Sequence, residues 1–182
     1  AIPAVAVTPS LVIIAAQMAG SLAWIAISGE DAPEFMATAP MTRANVELLK
    51  LEVIAVIVGG VLLVPLALLA LSAPMAGLVA LACCASAAAS CALVNLWHPS
   101  DGRRRSFMRR HAQSKLIGLF EHALLLLWAI TAALAQMGLM SALAPGLLAL
   151  LVLAMARRVL IGRACGAAKH ARPAAQGAPP AA

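Results

Sequence analysis

Five near-continuous apolar runs divide this chain, each about as long as a bilayer is thick. A helix rises about 1.5 Å per residue, so crossing a hydrocarbon core of about 30 Å takes roughly 20 mostly apolar residues. Runs of that kind fall at about 8–28, 51–72, 75–97, 116–138 and 144–162. A soluble core has no room for them. Of 182 residues, 63% are hydrophobic and only 11% charged, against a charged share of about 25% in soluble domains. Lipid is therefore the expected solvent for most of the chain. Only helices and closed barrels satisfy their own backbone groups in lipid, and these runs are too long and too rich in Ala and Leu for barrel strands. The expected fold class is all-α: a polytopic membrane protein with a bundle of about five transmembrane helices over residues 1–163, and a short interfacial helix after the first.

The basic residues set an expected orientation. Arg43 and Lys50 follow the first run. Arg103, Arg104, Arg105, Arg109, Arg110 and Lys115 follow the third, and Arg157, Arg158, Arg163, Lys169 and Arg172 lie at or beyond the end of the fifth. All 13 Lys and Arg thus share one side of a five-span arrangement, and the positive-inside rule puts that side in the cytoplasm and the N-terminus outside. A bacterial inner membrane is the expected location. The tail 164–182, ACGAAKHARPAAQGAPPAA, has no apolar period and reads as disordered. The opening, AIPAVAVTPS, has no basic n-region, which argues against a cleaved signal peptide; a processed terminus and the trailing part of a longer chain both fit. The charge of +6 does not point to nucleic acid, because the six aromatics (Trp24, Trp97, Trp128, Phe35, Phe107, Phe120) do not interleave with a basic patch.

Inside the runs, Gly59, Gly60 and Pro65 mark an expected bend in the second. The third contains ACCASAAASCA, small side chains that let helix backbones approach closely where lipid supplies little drive for association, so this span is expected at the centre. Cys83, Cys84 and Cys91 lie in the same run and, like Cys165, show no CxxC or disulfide pattern; they read as small packing residues.

The first polar connection opens with GEDAPEFMATAP, which holds Glu30, Asp31 and Glu34 of the seven acidic residues, and continues as MTRANVELLKLE. Asp31 with Glu34 three residues on has the spacing of a capping box, Pro40 ends the element, and Thr42 can cap a helix that continues into the second span. Phe35 and Met36 then face the membrane. A plain polar loop punctuated by prolines fits the same residues. The stretch also resembles the cytoplasmic segment of permeases of the type-2 ABC exporter class, in the acidic opening at Glu30 and Asp31, the EFMATAPMTR core and the basic residue Lys50. That resemblance implies that residues 29–50 dock a separate ATP-binding subunit, with Glu30, Asp31, Glu34, Phe35 and Arg43 in contact. It also implies that the chain corresponds to the second to sixth spans of a six-span unit, so a further copy or half-unit is a possible partner.

The loop HPSDGRRRSFMRRHAQSK carries Arg103, Arg104, Arg105, Arg109 and Arg110, which suit anionic headgroups at about 1 kcal/mol per basic residue, or an acidic patch on a cytoplasmic partner. Glu52, Glu121 and His122 fall within spans, where ionisable groups are functional candidates by default. Glu121 lies only about 9 Å from its end of the span, so pairing with Lys115 or Lys50 and a transport role are both open. A haem pair is disfavoured. His111 and His122 stand about 16 Å apart on one helix face, and His98 would need a register shift of about 10 Å to meet His122. A haem-free membrane anchor, for example of a quinol-linked oxidoreductase, is the alternative to the permease. No nucleotide loop, nucleophile elbow or metal-ligand spacing occurs, so neither catalysis nor a cofactor is expected in this chain.

Overall fold

The computed structural model describes residues 4–28, 43–97, 115–138 and 140–176. All regular elements among them are helical: α1 (Ala4–Ser28), α2 (Arg43–Ser72), α3 (Pro74–Leu96), α4 (Lys115–Gln136), a 3-10 turn (Met140–Ala142) and α5 (Leu143–Gln176). Five of these stretches are long and apolar enough to cross a membrane: Ala6–Ala26, Asn45–Ser72, Pro74–Leu96, Ile117–Gln136 and Met140–Val159. The all-α expectation holds, and the spans agree with the apolar runs except at α2. There the apolar register reaches back to Asn45, because RANVELLKLE joins the membrane helix without interruption. The expected bend site at Gly59, Gly60 and Pro65 lies within this one continuous helix. The short interfacial helix expected before it, over 31–40, falls outside the described residues. Helix α5 differs from expectation. It runs to Gln176 and so enters the segment that composition assigned to a disordered tail. Alanine, the best helix former, dominates that segment and lets the membrane helix continue.

Two tight turns dictate the threading. Ala73 alone separates α2 from α3, in an extended conformation (φ −152°, ψ 91°); the following Pro74 disfavours helical φ/ψ there and suits the first turn of α3. Close to this turn the two helices touch at the backbone. A Cβ built on Gly77 would stand 2.6 Å from Cα of Ala70. At the other turn, α4 ends on Gly138 at φ 72°, a left-handed value that favours glycine. The Gly138 N–H donates to the Ala135 carbonyl at 3.1 Å, one of the two bonds of a Schellman ending. The chain thus passes up and down through the bundle. Thr8, Ala76 and Gln136 meet toward one end, and Gly20, Asn95 and Glu121 toward the other.

Helices α1, α3 and α4 form the core. On α1 the stripe Val12, Ala15, Ala16, Ala19 and Ala23 is fully buried, and on α3, which packs against α1, Ala80, Cys84, Ala87 and Cys91 are buried. Alanines and cysteines at helical spacing bring the backbones close, and the larger Ile117, Leu124 and Trp128 of α4 close the third side. Half of the α3 span is buried, against 22% for α2 and 11% for α5. The third span is therefore central, as its small residues imply. The large exposed side chains concentrate on α2 and α5, which suits a lipid-facing periphery.

The Gly77 contact has a measurable consequence. Gly77→Val should lower the melting temperature of the detergent-solubilised protein by an amount equivalent to about 1–3 kcal/mol, the usual range for overpacking. Gly60→Ala, whose added Cβ meets nothing within 4 Å, should leave it unchanged or raised. Equal effects of the two changes would refute the close approach at the α2–α3 turn.

Candidate functional site

Polar side chains enter the core at three heights, and α4 contributes to each. At the first, Glu121 projects from the second turn of α4 between α1 and α3. The buried Asn95 amide donates to the Cys91 carbonyl at 3.0 Å and to Glu121 Oε1 at 3.4 Å. The Cys91 thiol in turn points at the Glu121 carbonyl oxygen, 3.9 Å away. Opposite, Gly20 of α1 leaves the space that the carboxylate occupies: a Cβ at this position would collide with Glu121 Oε1 and lie 3.1 Å from its Cδ. A notch in α1, a carboxylate on α4 and an amide on α3 therefore form one site.

The middle level joins α3 to α4. Trp128 Nε1 donates to Ser90 Oγ at 3.3 Å, and that hydroxyl donates to the Ser86 carbonyl at 2.6 Å. At the far level, Gln136 uses its amide nitrogen twice, donating to Thr8 Oγ1 at 3.0 Å and to the Ala76 carbonyl at 3.1 Å, so that one side chain ties α1, α3 and α4. Among the described residues no buried side-chain nitrogen or oxygen lacks a partner. Polar groups in lipid are costly when unpaired, and here each level is paired within the bundle.

Glu121 lies in the stretch Ile117–Gln136, which is long and apolar enough to cross a membrane, and is half-buried. The structure shows Asn95 as its side-chain hydrogen-bond partner. Glu52 stands exposed on α2, and His122 is exposed on α4, where its Nδ1 lies 2.7 Å from the Gly118 carbonyl and so acts as donor within its own helix. These three ionisable residues are therefore not one cluster. Glu30, Asp31, Glu34, Phe35, Arg103, Arg104, Arg105, Arg109 and Arg110, with His98 and His111, lie outside the described residues, and Arg43 opens α2. Cys83, Cys84 and Cys91 are buried and unbridged, in keeping with a packing role. Among the described residues no three of His, Cys, Asp and Glu are placed to hold a metal ion.

Asn95, Gly20, Gln136 and Thr8 were not singled out from sequence. Each is a small or uncharged polar residue in an apolar run, and only the pairing of helices shows that they meet. A further contact marks the Asn95 end of the bundle: the Arg157 guanidinium of α5 lies 6.0 Å from the centre of the Trp97 ring, a cation–π geometry between α5 and the end of α3. With Lys50, Trp24 and Arg158, it gives this end the cationic and aromatic character of a membrane interface. Chemically, the site holds one carboxyl group with an amide donor and no paired nucleophile and base. Comparison with protein-family models, curated proteins and solved structures finds no match for this chain.

The Gly20 notch and the Glu121 carboxylate should be energetically coupled. Gly20→Ala alone should destabilise the solubilised protein. The same change in a Glu121→Ala background should do so far less, leaving a coupling energy of about 0.5–3 kcal/mol in a thermal-melt double-mutant cycle. Additive effects would show that the carboxylate does not occupy the notch.

Proposed function

We propose that this chain is a permease-like membrane subunit of an ABC-type exporter in a bacterial inner membrane, driven by a separate cytoplasmic ATP-binding subunit. The observation that carries the proposal is the threading. Because successive helices alternate in direction, the segments 29–42 and 98–114 and the C-terminal part of α5 all leave from one end of the bundle. All 13 Lys and Arg belong to those segments or to the helix ends beside them. By the positive-inside rule this end faces the cytoplasm and the N-terminus lies outside. It is then the end that a nucleotide-hydrolysing partner would reach, and it includes the stretch 29–50 that resembles the coupling segment of such permeases. In this reading Glu30, Asp31, Glu34, Phe35 and Arg43 contact the ATPase, and Arg103, Arg104, Arg105, Arg109 and Arg110 contact headgroups or that partner.

A second reading, a membrane anchor or assembly subunit without a transport path, draws on the closure of the core. At the three levels described, the polar groups between α1, α3 and α4 are paired and set among buried small residues. A permease built on this bundle would pass its substrate between copies or half-units, and an anchor would need no such path.

Reversing charge in the coupling segment separates the two. The full chain is purified from its own host membranes with whatever nucleotide-binding protein accompanies it, and ATP hydrolysis is compared between wild type and Glu34→Lys/Arg43→Glu. A permease should copurify with an ATPase and lose most of the stimulated hydrolysis in the variant, at unchanged helix content. Absence of a nucleotide-binding partner, or hydrolysis indifferent to both changes, would favour the anchor.

A further inference from the structure

Helix α5 changes character within a turn near the end of its membrane stretch. Leu147, Leu151 and Met155 follow one another on a single face and are all exposed. Arg158 is the next residue on that face, and Arg157 continues the neighbouring row of Leu150 and Ala154. Both arginines are exposed, and both precede Val159, where the stretch able to cross a membrane ends. They stand at the boundary between hydrocarbon and headgroups, with an apolar face directly below them.

Among the described residues nothing neutralises this pair. The sequence has no Asp or Glu after Glu121, so α5 has no acidic side chain of its own. Glu121 is turned inward to Asn95, and the other described carboxylates, Glu47 and Glu52, belong to α2. Neither Arg157 nor Arg158 makes an ion pair or a side-chain hydrogen bond among the described residues. Arg157 instead lies over the Trp97 ring at the end of α3, 6.0 Å from its centre. A ring attracts a cation but supplies no oxygen acceptor, so the fork of N–H donors that fits a phosphate is still open. The contact also holds the guanidinium between α3 and α5, helices that otherwise pack only lightly on each other. A donor positioned in advance loses less freedom when its acceptor binds.

These features describe a ligand with a phosphate at the level of the arginines and hydrocarbon beneath it. From Leu147 to Arg158 the helix rises about 16 Å, close to one leaflet, roughly half of a hydrocarbon core of about 30 Å. A soluble anion would have to descend to the last apolar turn, where the phosphate of a lipid already lies. Two cations without an acidic neighbour favour a headgroup of net negative charge over a zwitterionic one, whose own ammonium would face the second arginine. We propose that Arg157 and Arg158, with Trp97, bind the phosphate of an anionic glycerophospholipid whose acyl chains lie along Leu147, Leu151 and Met155. The site requires the bilayer alone and is independent of the exporter reading.

The test offers equal amounts of phosphatidylglycerol and phosphatidylethanolamine to the full chain in mild detergent, and counts retained lipid by native mass spectrometry. Wild type should retain phosphatidylglycerol several-fold over phosphatidylethanolamine. Arg157→Gln/Arg158→Gln should abolish that preference, whereas Arg163→Gln/Lys169→Gln, the same loss of charge further along α5, should leave most of it. Trp97→Leu keeps both charges and should lower the preference partway. Should the double variant not fold, as judged by circular dichroism, Arg158→Gln alone should give a partial fall. Equal retention of the two lipids by wild type would overturn the site. So would an equal fall in the two double variants, the mark of general attraction to charge, or displacement of phosphatidylglycerol by inorganic phosphate, the mark of a site for soluble anions.

Discussion

In lipid, burying a leucine against another helix gains little over leaving it against an acyl chain, so the association of these helices depends on how closely their backbones approach and on which polar groups must be paired. The rest of the bundle follows from that condition. Helix α3 is central because its alanines, serines and cysteines make it the narrowest cylinder available, and α1 fits against it through a matching alanine stripe. Helices α2 and α5, rich in Leu and Val, have little reason to be enclosed and remain outside. The usual soluble order, with large apolar side chains inside, is partly inverted: small residues make the centre and large ones face the solvent.

Polar pairing adds a second layer to the same condition. A carboxylate in this environment requires both space and a donor. Gly20 provides the first by lacking a side chain, and Asn95 the second. Gln136 offers two amide hydrogens where α1 and α3 present a hydroxyl and an otherwise helical carbonyl. Interhelical hydrogen bonds in membranes average only about 0.6 kcal/mol, so no single one accounts for stability. Their significance lies in what an alternative packing would leave unpaired.

Much of the architecture was legible in the chain itself, because span length, apolar content and turn chemistry are local properties. The five helices, the all-α class and the central third span could all be read that way. The partners of Glu121 could not. Lys50 and Lys115 are its obvious candidates by charge, whereas the residues found beside it, Asn95 and Gly20, are distant in sequence and individually unremarkable. Hydropathy reports whether a residue tolerates lipid but not the rotation of one helix against the next, and that rotation decides which of many small and polar side chains meet. The extension of α5 to Gln176 was missed for a different reason: an alanine-rich segment lacks an apolar period and yet has high helix propensity.

The distribution of the polar levels along α4 bears on specificity rather than strength. A seam of alanines and cysteines is repetitive, and a helix displaced along it by one turn, about 5.4 Å, would meet another small residue and lose little packing. Glu121, Trp128 and Gln136 remove that degeneracy. They are spaced along the whole span and each has a different partner, a carboxylate with an amide and a notch, an indole with a hydroxyl, an amide with a hydroxyl and a carbonyl. One turn of slip would leave all of them unpaired in hydrocarbon together, so three individually weak bonds act jointly on register, much as a single buried polar residue fixes the alignment of a coiled coil. A membrane helix held this way has its height in the bilayer determined by its neighbours and not by the lipid alone. Segments leaving α3 and α4 at the basic end are thereby presented at a definite level to whatever lies beyond the membrane.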